Sequence, residues 1–159
     1  MSWELVEEMK CLSVSQPYAD LIISGKKTIE LRTWNTKFRG EFLIHAPIKI
    51  KDNVCERLGI DKSSLRTGVI IGKVEIYDVK SYESLEELKK DHDKHFATEE
   101  FLHHKYGFLL RKPQALRIPI PYKGSLGFFE VKMQPGPSNN DIKSELFDEE
   151  YRYQWIGRH

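Results

Sequence analysis

The sequence is short of several things at once. Only two cysteines occur in 159 residues, Cys11 and Cys55, far apart and without C-x-x-C spacing. That excludes a disulfide framework or a zinc knuckle and leaves two small buried thiols of a reducing compartment as the expectation. No apolar run approaches the roughly 20 residues of a membrane helix. The opening "MSWELVEEMK" lacks the basic start and apolar stretch of a secretory leader, so a cytoplasmic location without membrane contact is expected. Neither G-x-G-x-x-G nor G-K-[ST] occurs, which removes the Gly-rich phosphate loops and with them a nucleotide cofactor of that kind. No internal repeat is visible. Nor does one sign of charge dominate: 25 Lys and Arg stand against 24 Asp and Glu, a formal net charge of +1. Bulk charge therefore says nothing about a polyanionic partner.

What is present is a local imbalance. Between residues 26 and 39 there are five bases (Lys26, Lys27, Arg32, Lys37, Arg39) and one acid, Glu30, among Ile29, Leu31, Trp34 and Phe38. The segment 134–159 leans the other way, with five acids against three bases. A solvated helix face spreads its charges evenly, so one carboxylate inside a basic, aromatic stretch asks for a reason.

Periodicity gives the setting. "CLSVS" (11–15) alternates as a strand, and Pro17 suits the first position of a short helix over 17–25, with Asp20 in its first turn and Gly25 as a left-handed stop. "TIELRTW" (28–34) and "GEFLIHA" (40–46) read as strands, residues 51–58 as a short helix, and "GVIIGKVEIYDVKSY" (68–82) as a long strand in which Gly72 marks a bulge or tight bend. Ser84 and Glu87 form a capping box that opens a helix over 84–95, and Thr98 opens another over 98–105. "YGFLL", "ALRIPIP" and "LGFFEVK" are three further strands separated by proline or glycine turns. Short strands with few, short helices predict an α+β, mostly β fold: a small antiparallel β-barrel with helices packed around it. Residues 1–132 are expected to form one domain. Residues 133–159 form an extension that begins with the linker-like "QPGPSNN" and has room for a short helix.

Within "TIELRTW", alternation puts Thr28, Glu30, Arg32 and Trp34 on one face and Ile29 and Leu31 on the core face. Glu30 and Arg32 then project into one space, roughly 7 Å apart at the backbone. Lys27 sits at the bend after Gly25 and leans over them. Such a group is either a surface ion pair or a polar pocket whose carboxylate accepts from a nucleobase amino group or moves a proton. Tyr18 and Trp34 offer stacking surface if they are not core. His45 faces either the core or the mouth of such a cleft, and Lys123 either only serves the turn "PYKG" or joins the cleft's basic rim. His92, His95, His103 and His104, with Asp91 and Asp93 between them, read as a solvated polar helix and loop, so no metal is expected.

These residues carry a resemblance. "SVSQPYADLIISGKKTIELRTW…RGEFLIHAP" resembles the ASCH (activating signal cointegrator homology) domain family of the PUA-like superfamily of RNA-associated β-barrels. The pattern Q-P-[WY]-A, G-x-K-x-x-E-x-R and R-G is met by Gln16, Pro17, Tyr18, Ala19, Gly25, Lys27, Glu30, Arg32, Arg39 and Gly40. The resemblance covers about 10–132, and "GVIIGKVEI" and "PIPYKGSLGFFEV" are similar to the family's closing strands. It implies a PUA-like domain whose cleft binds RNA or a nucleotide-like ligand, with the surrounding bases Lys26, Lys27, Arg32 and Arg39 as phosphate and sugar contacts; a monomer is expected. Some small relatives are acetylcytidine amidohydrolases that use a Lys, a Thr nucleophile and a Glu. Lys27 matches their Lys, Glu75 corresponds to their Glu, and Glu30 stands where they carry Thr. The alternative is therefore a hydrolase of a modified nucleoside or of RNA in which Lys27, Glu30 and Glu75 serve a water nucleophile.

Overall fold

The computed structural model describes residues 7–98, 103 and 105–133. Among the described residues six strands carry the fold: β1 (Glu7–Ser13), β2 (Ile29–Arg32), β3 (Gly40–Ala46), β4 (Val69–Ser81), β5 (Tyr106–Pro121) and β6 (Phe128–Met133). They form one sheet in the order β2-β5-β4-β3-β1-β6. All neighbours are antiparallel except β1 and β3, which run parallel with Cys11 opposite Leu43 and Ser13 opposite His45. The fold is mostly β with helices packed on it, as expected; the sheet, however, is mixed and open rather than closed by hydrogen bonds.

Side chains close what the backbone leaves open. Phe128 on edge strand β6 stacks on Phe108 of β5 with centroids 6.1 Å apart. Trp34, just beyond the other edge strand, meets Phe108 and Phe128 edge-on at 5.3 and 5.8 Å. The two edges are thus drawn together through aromatic rings, each such pair contributing about 0.5–1.5 kcal/mol beyond its burial.

Inside this curl lies α1 (Tyr18–Ile23), buried at every one of its six residues. Pro17 stands one place before the helix and not at its first position, and the Gln16–Pro17 peptide is cis. Gly25, at φ +84°, ends the helix in the left-handed region only glycine enters readily. Gly72 marks an irregularity as foreseen: the β4–β5 register shifts between Ile70 and Gly72. A Cβ there would lie on the Gln114 carbonyl oxygen and 2.8 Å from Ile23 Cδ1, so glycine is what lets α1 rest on the sheet.

Two expectations need correction. The helix foreseen over 84–95 is broken into α3 (Leu85–Lys90) and α4 (His92–His95), following α2 (Asp52–Leu58) in chain order. The break is at Asp91, whose carboxylate is held by Lys80 Nζ at 2.8 Å and by the Tyr82 hydroxyl at 2.5 Å. The capping box itself forms, with Ser84 Oγ accepting from Glu87 N. Second, "YGFLL" and "ALRIPIP" belong to one strand, β5, which passes through "RKPQ" by way of a positive φ of 55° at Lys112 instead of turning. The helix foreseen over 98–105 and the extension 134–159 lie outside the described residues.

Candidate functional site

The alternation of β2 divides its residues as expected. Ile29 and Leu31 pack with Tyr82, Leu88 and Ala97 in a small apolar cluster. Glu30 and Arg32 take the other face. Glu30 is 7 % exposed, and its two oxygens have different neighbours. Oε2 accepts from Arg32 Nε at 2.9 Å and faces Nη2 at 2.8 Å, while Oε1 lies 3.3 Å from Lys27 Nζ. Burial pushes the Glu30 carboxyl up, but the charges of Arg32 and Lys27 outweigh it and hold the group below the ordinary carboxylate range.

Lys27 is the least exposed cation of the group, at 3 %. Its ammonium donates to Ile29 O and to His95 O, both at 2.7 Å, and takes Glu30 as its third partner. It also sits 4.8 Å from the centroid of the Tyr18 ring. Burial pulls its pKa down and Glu30 opposes that pull. Three acceptors around one nitrogen require three protons, so the ammonium form is the one the fold holds. Lys27 therefore spends every donor on the protein, tying α4 to β2 and balancing Glu30. Arg32 differs. Its Nη2 also donates to Ser13 O at 2.8 Å, bridging β2 to β1, and its Nη1 has no partner among the described residues.

These groups face a cavity of about 200 Å³ whose walls include Lys27, Glu30, Arg32, Ser13, Ser15 and Lys51. Three cations stand there against one carboxylate. The sequence reading missed Ser13, Ser15 and Lys51. The two serines alternate with Leu12 and Val14, whose side chains enter the core, so the period of "CLSVS" already placed both hydroxyls on one face. Lys51 carries no such local signal. It arrives because its N–H donates to Gln16 O at 2.9 Å where α2 begins.

The other candidates are dispersed. Gln16, fully buried, donates to Asp20 Oδ1 and Arg66 O and accepts from Asp20 N, a clamp across the start of α1 and outside the cavity lining. Pro17 follows it at the start of α1. Tyr18, 4 % exposed, lines the cavity wall. Lys26 is exposed and outside the lining. Trp34 is packed on Phe108 and Phe128. Arg39 braces the loop before β3 by donating to Thr36 O and Phe38 O. Glu75 lies on β4 between the core residues Val74 and Ile76, hence on the outer face, and its carboxylate accepts from Arg111 Nε at 2.6 Å. It does not join Lys27 and Glu30.

His45 and Lys123 belong to a second cavity, of about 480 Å³, that shares the Ser13 wall. His45 is 2 % exposed. Its Nε2 meets the Tyr122 carbonyl at 2.8 Å and its Nδ1 meets Ser13 Oγ at 2.9 Å. A carbonyl only accepts, so Nε2 carries the proton and Nδ1 takes the serine hydroxyl proton. Burial pulls the imidazole pKa below its ordinary value, against the Tyr122 bond, which favours the neutral ring. Among the described residues no group of three His, Cys, Asp or Glu is placed to hold a metal ion, and no helix is long and apolar enough to cross a membrane.

A curled mixed sheet packed on the buried helix α1, with a cation-flanked carboxylate lining a small cavity, defines the class: a mostly β domain with short helices. The chain belongs to the ASCH domain family, whose sequence model matches residues 12–123. It is 29 % identical over 131 aligned residues to activating signal cointegrator 1 of Homo sapiens and 27 % identical over the same length to that of Mus musculus. Each match takes in 72 % of this chain and 21 % of the relative, so the chain spans about a fifth of the length of these proteins. In fold it is similar to the crystal structure of ASCH from Zymomonas mobilis, with a TM-score of 0.58 at 16 % identity over 88 % of this chain and 96 % of that one. A mutant of the same protein gives 0.57 at 16 % identity, over 87 % and 98 %.

Proposed function

We propose that the cleft built on Lys27, Glu30 and Arg32 binds RNA, one nucleotide of a single-stranded or looped segment entering the cavity. The observation that carries this reading is the pinned carboxylate. Glu30 is buried, held in its ionised form and flanked by two cations, yet Oε1 meets only Lys27 Nζ, at 3.3 Å, whereas Oε2 accepts from Arg32 Nε and also faces Nη2, so Oε1 keeps acceptor capacity for a base amino group. Arg32 Nη1 and Lys51 supply positive charge for phosphate, which gives affinity, while the carboxylate gives selectivity. The PUA-like fold of the family is generally linked to RNA binding, which supports the choice of polymer. The cavity is below the roughly 300–1,000 Å³ usual for drug-sized ligands, which favours a fragment of a chain over a large free molecule.

Binding is favoured over hydrolysis by the separation of Glu75 from the Lys27–Glu30 pair and by the saturation of the Lys27 ammonium. The test is fluorescence anisotropy of a labelled single-stranded RNA from about 50 to about 200 mM salt, where each phosphate contacted adds roughly −0.7 to the slope of log K against log salt. Arg32→Gln should weaken binding and flatten that slope, whereas Lys89→Ala with Lys90→Ala on α3 should change neither. Salt-independent binding, or equal effects of the two changes, refutes the reading.

A further inference from the structure

We infer that the bound strand continues past the cleft and lays its next base in the second cavity, against Tyr122, Ile48 and Leu126. This rests on the reading of the cleft as an RNA site and adds a second base subsite with apolar chemistry.

The two cavities share Ser13 in their walls, so they are neighbours, close enough for successive nucleotides of one strand on the proposed path. Their walls differ in kind. The first is cationic; the second gathers Pro47, Ile48, Tyr122 and Leu126. Ile48 is 79 % exposed and Leu126 96 %. They come from loops nearly eighty positions apart, after β3 and before β6, yet converge on one cavity. Large aliphatic side chains held in water at a shared concave site mark a contact surface. Tyr122, 37 % exposed, is stacked on Phe129 with centroids 6.2 Å apart and planes 19° from parallel, which makes it a fixed aromatic wall.

The platform is built before any ligand arrives. Tyr122 N donates to Gly68 O at 3.2 Å and Tyr122 O accepts from His45 Nε2. Gly124 is seated so closely that a Cβ there would fall 2.6 Å from Ser13 Oγ and 2.7 Å from His45 Cε1. A β-bulge between Ile44 and His45 in the β3–β4 pairing turns the strand at this point. Because the loop is anchored, little ordering entropy is lost on binding. Lys123, on the same wall, supplies a cation beside the stacking surface. Aromatic and apolar surface alternating with cations along one path is the arrangement that holds single-stranded nucleic acid, since every base has a face to stack and every linkage a charge. A free mononucleotide reaches only one of the two cavities, so the site selects chains.

The experiment compares a fluorescein-labelled random RNA hexamer with competition by the four ribonucleoside 5′-monophosphates. The native chain should bind the hexamer far more tightly than any monophosphate. Tyr122→Ala should weaken the hexamer by about tenfold, one base stack's worth, Leu126→Ser should weaken it through lost apolar contact, and both should leave monophosphate binding and the salt slope unchanged. Leu126 is almost wholly exposed, so its replacement does not disturb the core. Unchanged hexamer affinity in both variants, or equal affinity of hexamer and monophosphate for the native chain, overturns the second subsite while Arg32→Gln still reports on the first. Loss in the Tyr122 and Leu126 variants without loss in Arg32→Gln overturns the cleft reading instead. No hexamer binding by the native chain overturns both.

Discussion

Replacing Lys27 by Met retains the stem that packs near Tyr18 and removes only the ammonium. Three acceptors lose their donor: the buried carbonyls of Ile29 and His95 and one oxygen of Glu30. A buried acceptor left unpaired costs about 1–3 kcal/mol, and breaking a buried ion pair from one side about 3–5 kcal/mol. These penalties overlap, because Arg32 still holds Glu30, so a total loss of about 3–5 kcal/mol is expected. That is a large part of the roughly 5–15 kcal/mol that holds a domain together, and for a chain of this length it lowers Tm by about 6–20 °C. Urea unfolding followed by tryptophan fluorescence measures it, with m unchanged if only stability moves. Adding Glu30→Gln in the same chain removes the other partner, so the double variant should lose less than the two single losses summed. A cost below about 1 kcal/mol for Lys27→Met, or strict additivity in the double variant, would show that the ammonium is not the brace described here.

Two further outcomes follow from the same geometry. Since Glu30 is held below the ordinary carboxylate range, its ionised form stabilises the fold above that range, and the contribution is lost as pH falls through the lowered value. Glu30→Gln should accordingly flatten the acid limb of stability against pH, and identical limbs in the native chain and the variant would refute the charge balance. Gly72→Ala places a methyl group on the Gln114 carbonyl and against Ile23, where backbone cannot yield. A loss of about 1–3 kcal/mol or more is expected in a thermal melt, and no loss would mean that α1 is not seated on β4 as closely as described.

Much of the fold was legible because its signals are local. The alternation of "TIELR" told which residues of β2 enter the core, Gly25 marked a helix end through a left-handed φ that glycine enters readily, and Gly72 marked a bulge where no side chain fits against Gln114 and Ile23. Where local signals failed, a distant partner had overridden them. The capping box at Ser84 announced a helix correctly, but nothing near Asp91 reveals that Lys80 and Tyr82 will draw its carboxylate inward and break that helix. "RKPQ" has turn composition, yet the β4–β5 ladder carries the chain straight through it with one left-handed residue at Lys112. The parallel pairing of β1 with β3 is likewise a choice of topology that no short window contains.

The site divides in the same way. Spacing brought Lys27, Glu30 and Arg32 together, since strand period and a bend after Gly25 suffice for that. It did not tell which cation is available. Lys27 and Arg32 are alike as letters, but the carbonyls of Ile29 and His95 consume the protons of the first, while the second keeps Nη1. His95 lies 68 positions from Lys27, so the difference is tertiary. The same contrast gives the lone acid its reason. Lys27, Arg32 and Lys51 crowded around one small cavity repel each other, and without a counter-charge that repulsion opposes folding in the absence of ligand. Glu30 offsets it. On the proposed RNA reading, the carboxylate equally repels phosphate, so a nucleotide that enters turns its phosphate toward Arg32 Nη1 and Lys51 and its base toward Glu30. One acid among the bases then both offsets their repulsion and orients the proposed ligand.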